Sequence, residues 1–132
     1  MKSSIDNEYG RLSSVLLKRP TDAFQNTDKI EMEYRALNYA VKPDFTKSIE
    51  EYREFERLIS ATGSQLLFLE SENQTTLDSI YTRDAAIATN EGMILCNMGK
   101  KARLSEPYAQ RTVYEAAGIN ILGEIDPPGT VE

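Results

Sequence analysis

The chain has 132 residues, 40% apolar and 27% charged, with a net charge of −6, one cysteine and no histidine. This is one domain's worth of chain with apolar residues enough for a core, and its acidic balance, with no dense Lys/Arg tract, argues against nucleic acid as a main partner. No run approaches the roughly 18 apolar residues of a membrane helix, and the missing histidine excludes His-rich metal sites and Ser-His or Cys-His catalysis within this stretch.

No apolar leader follows Met1, so no secretion signal is expected. A single cysteine closes no internal disulfide, which points to a reducing, cytoplasmic setting. One domain without a separate linker is expected over residues 1–132.

In chain order, Ser13-Ser-Val-Leu-Leu-Lys-Arg-Pro20 reads as a first strand, apolar for three residues and stopped by proline. Thr21 to Pro43 has no clean period, so it is either a functional loop or a stretch hiding a short helix. Tyr34, Leu37 and Val41, spaced by three and then four, allow that helix. Ser48-Ile-Glu-Glu51 fits a capping box, in which hydroxyl and carboxylate each satisfy a free backbone N–H. The helix it opens places Ile49, Tyr52, Phe55, Leu58 and Ile59 on one face and ends at Gly63. Gln65 to Leu69 is the following strand, and Glu70 to Thr76 is a polar loop leading to Asp78.

Ala85 to Thr89, the Asn90-Glu91-Gly92 turn and Met93 to Cys96 read as a hairpin. Asp78, Arg83 and Asp84 precede it; Asn97, Lys100, Lys101 and Arg103 follow. Charges just beyond the ends of buried strands are where α/β folds keep ligand sites, although solvated loop charges have the same pattern. Ser105-Glu106-Pro107 opens a second helix, with serine as N-cap and proline in the first turn. It runs through Tyr108, Val113 and Ala116 to Gly118. Ile119 to Leu122 is the last strand, and Gly123 to Glu132 a turn-rich loop. Ala61-Thr-Gly-Ser-Gln-Leu-Leu and Ala116-Ala-Gly-Ile-Asn-Ile-Leu each close a helix and open a strand, and each follows an earlier apolar strand. This points to a repeated unit of strand, loop, helix, glycine turn and strand.

With those residues in view, Asp78-Ser-Ile-Tyr-Thr-Arg-Asp84, the Met93-Ile-Leu-Cys96 strand and Asn97-Met-Gly-Lys-Lys-Ala-Arg103 resemble the first half of the guanidino-group-modifying superfamily. Its members include dimethylarginine dimethylaminohydrolases, arginine deiminases and amidinotransferases. Arg11-Leu-Ser-Ser-Val-Leu-Leu-Lys-Arg-Pro20 and the closing Pro128-Gly-Thr-Val-Glu132 match too, in the same order. The resemblance implies an α/β fold, the pentein five-bladed propeller of ββαβ-type units around a substrate channel. This chain would supply about two of the five blades, as an N-terminal portion.

The resemblance also implies a chemistry. A guanidinium is a planar cation that carboxylates match with parallel charge-assisted hydrogen bonds. By resemblance, Asp84 and Glu132 are the carboxylates that hold it, and Asp78 helps hold the substrate's amino end. Arg83 stands where the dimethylarginine hydrolases carry an acidic residue and looks more like the deiminases; Arg103 is the candidate for a substrate carboxylate, with a solvated loop cation as the competing reading. A cysteine thiolate attacks the guanidino carbon and a histidine moves the protons. Both lie beyond Glu132 in the family, and Cys96, within an apolar strand, is inert packing. No cofactor and no metal are expected.

Two further readings stand beside this one. The first is a non-catalytic binding or assembly module of the same half-propeller, whose open strand edges invite self-association or a partner chain supplying the missing blades. The second, a ferredoxin-like or doubly wound regulatory domain, leaves Arg83, Asp84 and Glu132 unexplained.

Overall fold

The computed structural model of the chain describes residues 7–131. Two compact units are present, Arg11–Ile80 and the described residues of Met1–Gly10 with Tyr81–Glu132.

In the Arg11–Ile80 unit the first strand, β1, spans Ser14–Leu17 and pairs in parallel with β2, Gln65–Phe68. Ser14 lies opposite Gln65 and Leu17 opposite Phe68. Parallel neighbours need a long crossover, and three helices supply it: α1 (Pro20–Ala23), α2 (Thr27–Glu33) and α3 (Phe45–Ala61). Pro20 both ends the strand and opens α1, where the first turn leaves its missing N–H without consequence.

The Thr21–Pro43 stretch is thus more ordered than its sequence suggests, and its helix lies earlier than the Tyr34, Leu37, Val41 spacing placed it. Asn26 sets the start of α2, its Oδ1 accepting from the Lys29 N–H at 2.8 Å. Tyr34 is the C-cap, Leu37 falls in the turn beyond, and Val41 is exposed. The segment builds the core of this unit: Ala23, Phe24, Ile30 and Leu37 close around Leu77, with Tyr34, Tyr39, Phe45 and Ile80 at the margin.

Helix α3 begins one turn ahead of Ser48. Asp44 is its N-cap and accepts from the Lys47 N–H at 2.9 Å, while the Ser48 hydroxyl donates back to the Asp44 carbonyl at 2.6 Å. The capping box expected at Ser48–Glu51 is therefore not used. The C-terminal end is as expected, with Gly63 at φ +81 donating to the Ser60 carbonyl at 3.0 Å. No α3 residue is fully buried; Ile49, Tyr52 and Ile59 are half-covered, and Phe55 and Leu58 are exposed. Ile49 and Tyr52, with Arg19, Pro20 and Leu66, line a groove of about 750 Å³.

In the second unit, β3 (Ala86–Ala88) and β4 (Met93–Leu95) form the expected hairpin, Ala86 opposite Leu95. Its turn is closed by the Thr89 N–H to the Gly92 carbonyl at 2.9 Å. A Cβ on Gly92 would stand 2.4 Å from the Asn120 carbonyl oxygen, so only glycine allows this approach. Helix α4 (Glu106–Ala116) then crosses back to β5, Ile121–Glu124, parallel to β4. Strand β5 starts two residues later than expected, because Ile119 is spent closing the Gly118 turn with its N–H on the Tyr114 carbonyl at 2.8 Å. It takes in Gly123 and Glu124, which read as loop.

The repeat is present, with a difference between its two copies. β1–α3–Gly63–β2 and β4–α4–Gly118–β5 are both parallel crossovers closed by a glycine at positive φ. The second adds β3 and is a ββαβ unit of strand order β3-β4-β5, whereas the first pairs two strands among the described residues.

Candidate functional site

Asp84 lies in a short 3₁₀ turn, Thr82–Ala85, that leads directly into β3. Arg103 closes a second such turn, Lys101–Arg103, three residues ahead of α4. The fold brings the two together: Arg103 Nη1 donates to Asp84 Oδ2 at 2.7 Å. Glu106, in the first turn of α4, receives the other edge of the same guanidinium, Nε to Oε2 and Nη2 to Oε1, each at 2.8 Å. Nη2 also reaches the Tyr81 carbonyl at 3.3 Å, and the guanidinium lies 6.0 Å from the centre of the Tyr81 ring.

Burial grades along this chain of charges. The Glu106 side chain is 3% exposed, Arg103 11% and Asp84 48%. Arg103 is therefore not a solvated loop cation. A fork-to-fork pair between a guanidinium and a carboxylate is the strong, directional kind of ion pair. Burial works against the Arg103 charge, and its hydrogen bonds to Glu106 and Asp84 outweigh it, so its pKa stands above its ordinary value. Glu106 gains in addition from its place at the positive end of α4.

The buried face of α4 carries the rest of the support. Glu106, Gln110 and Tyr114 are spaced by four and buried, whereas Tyr108 is exposed. Gln110 Nε2 donates to the Thr82 carbonyl at 2.7 Å, inside the turn that holds Asp84. The Tyr114 hydroxyl donates to Gln110 Oε1 at 2.9 Å. Ser105 occupies the N-cap position but makes no side-chain cap. In the sequence Glu106 stands out only as part of a helix start; the Arg103-x-x-Glu106 spacing at a helix entrance is the available signal.

The other expected site residues fall elsewhere. Arg83 meets Glu8 at 3.2 Å, both exposed, a pairing that contributes little. Asp78 belongs to the Arg11–Ile80 unit, in the 3₁₀ turn Leu77–Ile80, and is buried beside the buried Thr75 and Ser79. That turn is pinned by Glu33, whose Oε2 accepts from the Leu77 N–H at 2.9 Å and whose Oε1 accepts from Lys29 Nζ at 2.6 Å. Lys18 Nζ, also buried, donates to Thr75 Oγ1 at 3.0 Å. The hydroxyls of Thr76 and Ser79, flanking this stretch, are buried without a hydrogen-bond partner. Glu132 lies outside the described residues.

Cys96 follows β4 directly and is buried with Ala85, Met98 and Ile125. Burial pushes its thiol pKa up, and the Asp84 charge pushes it the same way. A protonated, enclosed thiol is a poor nucleophile. Among the described residues no group of carboxylates and thiol is arranged to hold a metal ion, and no helix is long and apolar enough to cross a membrane.

No protein-family model matches the sequence, and neither does any curated protein. Solved structures do match in fold. A dimethylarginine dimethylaminohydrolase from Pseudomonas aeruginosa, a cysteine-to-serine variant complexed with citrulline, aligns with a TM-score of 0.69 at 20% identity, over 93% of this chain and 45% of that one. A dimethylarginine dimethylaminohydrolase adduct with 4-chloro-2-hydroxymethylpyridine aligns with a TM-score of 0.67 at 21% identity, over 92% and 43%. AgrE, a cysteine-to-alanine variant in complex with L-arginine, aligns with a TM-score of 0.65 at 14% identity, over 91% and 17%. The chain thus spans less than half the length of each of these three structures. Its mixed α/β fold of small sheets and crossover helices is similar to that of the dimethylarginine dimethylaminohydrolases and AgrE.

Proposed function

We propose that this chain is part of an enzyme acting on the guanidino group of arginine or a methylated or related compound, and that it contributes substrate-binding carboxylates. The observation that carries the reading is Asp84. It is a carboxylate at the mouth of a strand, fixed from behind by a buried ion pair and open over about half of its surface. A planar cation is the ligand such a group suits. The similar fold of proteins solved with citrulline and with L-arginine supports the same class.

In this reading Asp84 and Glu132 hold the guanidinium. Arg83, exposed and paired with Glu8 at the surface, can turn toward a ligand. Arg103 belongs to the site through Asp84. Each unit is read as one ββαβ-type blade, the Arg11–Ile80 unit with two paired strands among the described residues. The attacking thiolate and the proton-carrying histidine come from outside these residues, since the sequence has no histidine and Cys96 is enclosed. By itself the chain binds and does not turn over. Calorimetric titration with L-arginine and with methylated arginines tests this, with Asp84→Ala as control. Saturable binding lost in the variant is expected, together with no release of citrulline or ammonia.

A second reading, a non-catalytic assembly module of the same fold, is favoured by one observation. Phe55 and Leu58 leave part of the apolar face of α3 open, as a surface awaiting a second copy or a partner chain would. Light scattering separates the readings: a concentration-dependent oligomer abolished by Leu58→Glu, with no response to any guanidino compound, favours the module.

A further inference from the structure

Resting on the guanidinium reading of Asp84, we infer that Glu106 is a positioning residue of the same site, acting on Asp84 through Arg103. Three observations converge on it. Glu106 is among the most enclosed charged groups described, at 3% side-chain exposure, and both of its oxygens accept from a single guanidinium. That guanidinium has its remaining edge on Asp84 Oδ2. The backbone beneath Asp84 is held by the same helix face, through Gln110 on the Thr82 carbonyl.

The geometry decides between two roles for Arg103. As a built-in competitor it would leave Asp84 when an external guanidinium arrived. To leave, it would break two charge-assisted hydrogen bonds to a buried carboxylate and strand that charge without its partner, a cost well above the yield of one exposed contact. It therefore stays. A cation that stays on Oδ2 restrains the rotation of the half-exposed carboxylate and so holds its plane. Two parallel N–H donors bind best to a carboxylate whose plane is already set, since the ordering has been done before the ligand arrives. Glu106 never touches the ligand; it keeps Arg103 in place.

The site then accepts a guanidinium edge-on at the Asp84 carboxylate and discriminates against a compact ammonium, which gains nothing from a preset plane. A lysine-like ligand is bound less well than an arginine-like one for that reason.

The test uses Glu106→Gln and Arg103→Lys in this chain, with two readouts. The first needs no ligand: NMR couplings across Cα–Cβ of Asp84 report whether its side chain holds one rotamer. One rotamer is expected in the unmutated chain and averaging in both variants, provided the amide spectrum shows the fold retained. The second is calorimetry with L-arginine, in which Glu106→Gln loses about tenfold or more in affinity, the worth of one charge-assisted hydrogen bond, and a larger loss than for L-lysine. An Asp84 rotamer unchanged in a folded Glu106→Gln chain overturns the inference, as does L-arginine affinity within twofold of the unmutated chain. If Glu106→Gln does not fold, Arg103→Lys, which keeps a cation but cannot span two carboxylates, takes its place in both measurements with the same expected and overturning results. Averaging of Asp84 in the variants with no binding of L-arginine by the unmutated chain upholds the positioning role and overturns the guanidinium reading alone.

Discussion

Arg103 Nη1 donates to Asp84 Oδ2 at 2.7 Å, so the carboxylate proposed to receive an external guanidinium already carries an internal one. The pair joins an almost enclosed cation to a half-open anion, with Glu106 behind them as the buried counterweight. Affinity and stability consequently depend on different members of one charge chain.

Arg103→Ala should be the most damaging single change in this unit. It leaves Glu106 as a buried carboxylate without its fork partner, and breaking such a pair from one side costs about 3–5 kcal/mol. Asp84→Asn keeps the shape and removes only the half-exposed partner, so its cost should stay below about 1 kcal/mol. Urea denaturation of the two variants checks the ordering. Equal losses would mean that Glu106 and Arg103 are not coupled as the geometry indicates.

The helix starts make a second comparison. Asp44→Ala removes the side-chain acceptor for the Lys47 N–H and should cost about 1 kcal/mol, a usual N-cap value. Ser105→Ala, at a cap position without a side-chain hydrogen bond, should cost only a few tenths of a kcal/mol. Thermal unfolding of both variants under one set of conditions measures the difference.

These caps also show where the sequence could be read and where it could not. The hairpin, α3, both glycine-closed joints and the repeat were legible, because each combines a hydrophobic period with a turn residue that has a mechanism. Ser48 and Ser105 were plausible caps by residue type, but Asp44 outcompeted the first by lying one turn earlier. The second sits in helical backbone, which turns its hydroxyl away from the free N–H groups. Helix α2 was misplaced because seven residues span only two turns, too few for a period to show. In the candidate site, Asp84 and Arg103 stand out by residue type and motif, whereas their contact with each other is not legible in the sequence. Glu106 does not stand out as a site residue, because a buried carboxylate at a helix start has the same local sequence as an exposed one. Arg103 is local, three residues earlier; what the tertiary fold adds is the burial of the pair and the contact of Arg103 with Asp84.

A pH effect follows from the other unit. Arg19 meets Glu56 through two hydrogen bonds, at 2.9 and 2.7 Å, with its guanidinium over the Phe68 ring at 3.8 Å. Those hydrogen bonds from Arg19 hold the Glu56 carboxyl below its ordinary value of 4.5, against the opposing effect of burial. A depressed folded-state pKa contributes stability that is fully present above the ordinary carboxylate range and is lost as pH falls through the folded value. Glu56→Gln should therefore lower stability at pH 7 by about 0.5 kcal/mol, the scale of a partly exposed pair. The gap to the unmutated chain should close as the pH falls below the carboxylate range. A gap that persisted in acid would assign the loss to packing rather than to the ion pair. Denaturation midpoints across the acid range provide the readout.

The proposed role of Asp84 as a guanidinium-binding carboxylate is tested directly by one titration. With ¹³C label in the side chain, the Asp84 Cγ resonance is followed while L-arginine is added, and again with L-norleucine, which keeps the amino-acid end and an aliphatic chain but has no guanidinium. A saturable shift of Asp84 Cγ with L-arginine and none with L-norleucine is the expected result. Equal responses to the two ligands, or an Asp84 signal that stays still throughout, would contradict it.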